Sequence, residues 1–143
     1  MKSVALVLSS PIFLSPFLAW IIAQIIKSVI FAVKYRRFDF RTLFKTGGMP
    51  SSHSSGSCAL ATAVGRTEGW ETPLFIVTLV FAFIIMNDAA GVRRAAGQQA
   101  RVLNKMLEEG KIDAEKVKEF LGHTPTEVIA GGILGIIVGI LLT

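Results

Sequence analysis

Gly47-Gly48-Met49-Pro50-Ser51-Ser52-His53-Ser54-Ser55 is a polar, Gly/Ser-rich patch with one histidine, set in a chain that is otherwise mostly apolar. Ser51 follows Pro50 and precedes the helix-forming run Cys58-Ala59-Leu60-Ala61, where an N-cap would stand. A helix starting here aims unpaired backbone N–H groups, hydroxyls and His53 at one point, the geometry of an anion site and above all of a phosphate site. The plain alternative is a Gly-Pro-Ser loop followed by an ordinary capped helix. The rest of the chain has to decide between them.

The surroundings are those of a membrane protein. The 143 residues suffice for one domain, 1–143; 52% are hydrophobic, only 17% are charged, and the mean hydropathy is +0.59. Soluble domains carry about a quarter charged residues. The net charge of +5 lies between apolar runs, as membrane flanks do, without the interleaved aromatics of a nucleic-acid module. Nucleic acid is therefore not an expected partner. Cys58 is the single cysteine, so an intrachain disulfide is excluded, and it reads as a packing residue.

The expected fold is all-α: an integral membrane bundle of three or four spanning helices, one of them extended into the cytoplasm. Residues 12–33 read as the first span. Gln24, Lys27 and Ser28 share one of its faces, and Lys27 would lie about 9 Å inside the bilayer at 1.5 Å per residue. An intramembrane lysine marks function, a partner or a water-filled cavity, with snorkelling as the alternative. A basic connector over 34–45 precedes a short small-residue helix at 51–65. Thr72-Pro73 opens a long helix that runs without a strong breaker past Asn104 to about Gly110. A short amphipathic helix is expected at about 113–121. Thr124, Pro125 and Glu127 then form a capping box at the head of a last span, 126–142. Gly131, Gly135 and Gly139 recur every four residues on the face of Glu127, which should turn inward, with a homodimer contact as second choice. The basic segments 34–45 and 91–122 flank a turn at 66–71 that is not basic, so the positive-inside rule sets both on the cytoplasmic side of the cell membrane. The helix at 51–65 is short for a crossing, which leaves the number of crossings open.

His53 and His123, the two histidines of the chain, both fall at helix starts on the same expected side. With Lys27, Arg93 and Arg94 they could serve phosphoryl transfer: cations offset phosphate charge, one histidine attacks phosphorus and the other protonates the leaving oxygen. Glu127, four residues after His123, could fix the imidazole tautomer, or act only in the capping box. Arg93 and Arg94 could be headgroup anchors, and Asp88 the partner of a neighbouring arginine. A metal site from His53, His123, Asp88 and Glu127 is an alternative without supporting spacing, and no metal or cofactor is expected.

Three ordered stretches resemble a known family: Gly47 to Ser54; Asp88-Ala89-Ala90-Gly91-Val92-Arg93 with Gly97-Gln98-Gln99-Ala100 and Leu103-Asn104; and Leu121-Gly122-His123-Thr124-Pro125-Thr126-Glu127-Val128. They are similar to the divergent branch of the type-2 phosphatidic acid phosphatase superfamily, also described as acid phosphatase/vanadium-dependent haloperoxidase-related. The resemblance implies a phosphatase acting on a phosphomonoester or pyrophosphate, expected to be a lipid phosphate. It implies Lys27 as phosphate-binding lysine, Ser51, Ser52 and nearby amides as phosphate ligands, and His53 as general acid. It further implies Arg93 on phosphate, His123 as the nucleophile that becomes phosphohistidine, and Glu127 in place of the orienting Asp. Asp88, Arg94, Gln99 and Asn104 would be supporting residues. Three features depart from the family pattern. Ser52 stands where the usual motif has Gly, Lys27 lacks a following Arg-Pro, and residues 94–122 separate Arg93 from His123. The rival expectation is a non-catalytic membrane protein that binds lipid phosphate or organises a complex; a transporter is a weaker third.

Overall fold

The computed structural model describes residues 2–36, 47–110, 116–117 and 122–143. Among these the secondary structure is wholly helical: α1 (Lys2–Ser9), α2 (Pro11–Tyr35), α3 (Ser52–Glu68), α4 (Pro73–Ala90), α5 (Val92–Glu109) and α6 (Pro125–Leu142). Most of the basic connector and the amphipathic helix expected at 113–121 lie outside the described residues, Lys116 and Val117 excepted.

Local chemistry sets the helix starts as expected. Thr72 caps α4 by accepting the Phe75 N–H, with Pro73 as the first helical residue. Thr124 accepts the Glu127 N–H while the Glu127 carboxylate accepts the Thr124 N–H, which completes the capping box of α6.

Three segments are long and apolar enough to cross a membrane: α2, the α4–α5 segment and α6. Their large side chains face outward. Val77, Phe83, Ile129 and Leu141 are all more than half exposed, while the innermost residues are Ala19, Ala23, Ala59 and Ala63. This inverted distribution suits a lipid solvent, in which Leu and Phe gain nothing by going inside and close packing of small residues holds helices together.

The interior belongs to α3. Ten of its 17 residues are buried, almost all of them Ser, Ala, Thr or Gly. It packs on α2, α4 and α6. Its hydroxyls bond within the protein: Ser55 to the Ala19 carbonyl at 3.0 Å, Thr62 to Cys58 at 2.8 Å, Thr67 to Ala63 at 2.8 Å. Buried polar groups satisfied in this way cost little.

The glycine face of α6 turns inward onto α3, as the four-residue spacing suggests. A methyl group at Gly131 would overlap the Ser51 carbonyl, one at Gly135 the Ser55 carbonyl, and one at Gly139 would come within 2.7 Å of Thr62 Cβ. The two helices run parallel from the Ser51 amide, bonded to the Glu127 carbonyl at 2.9 Å, to Arg66, bonded to Thr143 at 2.8 Å. So α3 lies alongside α6 over nearly its whole length, although its 17 residues give only about 25 Å. This short, polar helix is enclosed by α2, α4 and α6, which cover most of its surface.

One expectation needs correction. The long helix after Thr72 is not continuous; it breaks at Gly91, whose φ of −101° and ψ of −89° are not helical. The physical reason lies in the candidate site, described below.

Gly135→Leu is expected to cost about 1–3 kcal/mol or more by forcing α3 and α6 apart. Ile133→Leu, on the lipid-facing side of α6, should stay within about 0.5 kcal/mol. Thermal unfolding in detergent compares the two; equal midpoints would show that the glycine contact does not hold the bundle.

Candidate active site

Four elements deliver their chemistry to one end of the bundle: the last turns of α2, the first turn of α3, the α4–α5 junction and the start of α6.

From α2, Gln24, Lys27 and Ser28 all turn inward, as their spacing indicates, and Lys27 is only 6% exposed. Its aliphatic stem passes Gly48, where an added Cβ would lie 3.4 Å from Lys27 Cγ. Gly47 and Gly48 both have left-handed φ, 88° and 84°, which glycine adopts without strain. The ammonium lies within electrostatic reach of His53, His123 and Glu127.

From α3, Ser51 caps the helix by accepting the Ser54 N–H at 3.4 Å and the Ser54 hydroxyl at 3.0 Å. It is fully buried, and its own N–H is given to Glu127. Ser51 thus joins α3 to α6. The Ser51 amide is therefore engaged within the fold. His53 lies beside His123 with ring centroids 6.4 Å apart at a 63° interplanar angle, and its Nδ1 is buried with no hydrogen-bond partner among the described residues.

At the α4–α5 junction the His123 N–H donates to the Ala89 carbonyl at 2.9 Å. In an unbroken helix that carbonyl would accept from Arg93. Gly122, with φ of 87°, presses so close to the backbone of Arg93 and Arg94 that any Cβ would overlap it. The helix therefore breaks where the start of α6 docks on it. This docking closes the gap of residues 94–122 between Arg93 and His123. Arg93 pairs with Asp88 through Nε and lies within electrostatic reach of His53.

His123 is 4% exposed. Its Nδ1 lies 3.2 Å from Glu127 Oε2, the oxygen that also accepts the Thr124 N–H. Glu127 therefore fills both roles open to it, cap and imidazole partner. With Nδ1–H on the carboxylate, Nε2 keeps its lone pair. Burial lowers the His123 pKa below the ordinary histidine range, and the hydrogen bond to Glu127 opposes that shift. The nearby backbone of Gly48 opposes the shift as well.

The remaining sequence candidates fall elsewhere. Arg94 contributes its backbone to the Gly122 contact, and its side chain is exposed, as is that of Gln99. Asn104 is a clamp on the connector: its amide donates to the Val117 carbonyl at 2.8 Å and accepts the Val117 N–H at 2.9 Å. Among the described residues no three His, Cys, Asp or Glu side chains are placed to hold a metal ion. The parts that the sequence reading missed are Gly48, Gly122 and the Ala89 carbonyl. Both glycines stand inside the quoted motifs, but only their tertiary contacts give them roles.

The Divergent PAP2 family matches residues 8–138. The chain belongs to this family. It is also similar to the uncharacterized membrane protein YuiD of Bacillus subtilis (strain 168), with 42% identity over 144 residues covering 90% of this chain and 91% of that protein. No solved structure matches the chain. The three long apolar helices and the membrane-protein relative together support a multi-pass membrane protein.

Glu127→Gln weakens the largest interaction that favours protonated His123, so the His123 pKa should fall further. Histidine-labelled NMR titration in detergent reads this directly; an unchanged or raised value would show that the carboxylate does not govern the imidazole. Gly122→Ala should part His123 from Ala89 and change the His123 resonances even where the protein stays folded. Wild-type resonances in that variant would remove the docking contact from this account.

Proposed function

We propose that the protein is a membrane phosphatase that hydrolyses a phosphomonoester or pyrophosphate, on a lipid, through a phosphohistidine intermediate. The convergence of His53, His123, Lys27 and Arg93 from four separate elements carries this reading. Two buried or half-buried histidines beside two cations, with a single carboxylate holding one imidazole, suit an anionic ligand whose charge completes the site.

On this reading the phosphate lies between the histidines. His123 Nε2 attacks phosphorus, and the P–O bond to the leaving group breaks as His53 gives that oxygen a proton. Glu127 holds Nδ1–H and offsets the positive charge that grows on the imidazole, as the carboxylate does in a Ser-His-Asp triad. Lys27 and Arg93 bind the equatorial oxygens, with Asp88 orienting the guanidinium. Water then attacks phosphorus, His53 accepts its proton, the P–N bond breaks and inorganic phosphate leaves. Charge bias supports a cytoplasmic site: Lys34 and Arg36 stand at the end of α2, and Arg93, Arg94, Arg101 and Lys105 are on α5.

Purified protein in detergent should release phosphate from at least one member of a panel of lipid phosphates, lipid pyrophosphates and an aryl phosphate. His123→Ala should lower release by about 10³-fold or more, and His53→Ala by about 10²–10⁴-fold. Vanadate should inhibit and EDTA should not. Sensitivity to EDTA would point to metal chemistry at Asp88 and Glu127 instead. Release no faster than that of His123→Ala on every substrate would leave a membrane protein that binds phosphate without turnover.

A further inference from the structure

The candidate site has a second, apolar side. α2 and α4 both pack on α3 but not on each other. The space between them is a groove of about 750 Å³ floored by α3. Its head is polar, formed by Ser52 and His53, and its walls are apolar, with Phe13 and Phe17 from α2 and Phe81 from α4. It runs down α3 from His53 to Leu60, about 10 Å at 1.5 Å per residue. Phe17 and Phe81 are half exposed, so the groove opens sideways toward the surrounding lipid.

We infer that this groove seats one apolar chain of an anionic lipid, with the oxygen that joins chain to phosphate held at His53. The inference rests on the phosphatase reading for the identity of the head, and it adds where the leaving group lies. Charge complementarity selects the occupant. A chain that fills the walls reaches His53, beyond which stand Lys27 and Arg93, so its head must be anionic. A hydrocarbon without a charged head would leave those cations uncompensated, and a cationic amphiphile would be repelled. His53, the only histidine on the groove wall, then meets the departing alcohol, while phosphate stays on the His123 side. The alcohol product remains in the bilayer, and phosphate has the basic, water-facing end as its exit.

Gly56 is the specificity position. It lies on the groove floor, and a Cβ there would meet the Pro16 carbonyl only at an ordinary 3.5 Å. A Cβ at Gly56 is therefore accommodated between α2 and α3, and a larger side chain there would narrow the groove.

Trp20 lines the groove and Trp70 is the one other tryptophan, so Trp70→Phe leaves a reporter at the site. This variant in nonionic detergent is titrated with a tail-brominated alkyl phosphonate and with the same tail on trimethylammonium. Saturable quenching of Trp20 by the phosphonate is expected, tighter than by the ammonium compound by about 10-fold or more. Gly56→Leu should abolish the saturable component. It should also lower hydrolysis of a hexadecyl phosphate by about 10-fold while leaving phenyl phosphate hydrolysis within about two-fold. Phe81→Ala, a lipid-exposed position, should weaken phosphonate binding and checks against misfolding of the glycine variant. Equal quenching by both heads, or quenching indifferent to Gly56→Leu and Phe81→Ala, overturns the groove assignment whatever the enzyme activity. Saturable, head-selective quenching without hydrolysis of any phosphate upholds the groove and rejects the phosphatase reading.

Discussion

The close approach of α3 and α6 is the constraint on which the other features depend. Ser51, Ser55 and Thr62 of α3 lie against Gly131, Gly135 and Gly139 of α6 with no room for a methyl group. In lipid, large apolar side chains cannot drive helices together, so contact must come from small residues and internal hydrogen bonds. This pairing lets a helix of serines and alanines sit at the centre of a membrane bundle. It also fixes the two helix starts side by side, and the bond from the Ser51 N–H to the Glu127 carbonyl locks their relative height. The distance between His53 and His123 is a consequence of that register. Each histidine stands within a few residues of the Ser51–Glu127 joint.

Docking of the α6 start on the α4–α5 junction completes the site at the expense of a helix. The Ala89 carbonyl accepts the His123 N–H, Gly122 closes on the Arg93–Arg94 backbone, and the helix axis breaks at Gly91. Beyond α5, Asn104 holds the chain at Val117 through two hydrogen bonds. Separation in sequence between Arg93 and His123 says nothing about their separation in the fold once a glycine contact pins both ends of the excursion.

Much of this was legible in the residues. The inward face of Gln24, Lys27 and Ser28 follows from helical spacing, the Thr124–Glu127 box from capping chemistry, and the α6 packing face from three glycines four apart. What stayed hidden was tertiary. A lone glycine at position 91 is a weak breaker, and only the competing bond to His123 turns it into a break. Ser51 reads equally well as a phosphate ligand and as a cap; that its N–H bonds the Glu127 carbonyl, 76 positions away in the chain, is visible only in the fold. The apolar groove is invisible to periodicity because Phe13, Phe17 and Phe81 look the same in sequence whether they face lipid or a cleft.

The electrostatics of the site and the composition of its floor answer the same problem. A lysine in a bilayer is stable only where partners or water compensate it. Among the described residues compensation is incomplete: Glu127 is shared among Lys27, His123 and the Thr124 amide, and Asp88 is engaged by Arg93. A bundle optimised for stability alone would replace Lys27 with leucine, since neither the α3–α6 contact nor the capping box requires a charge at that position. If the site works as proposed, this imbalance favours an anion arriving from outside, and the polar α3 gives its head group a hydrogen-bonding floor. On the proposed reading, the small-residue packing that lets α3 occupy the centre is therefore also what makes the chemistry affordable in lipid.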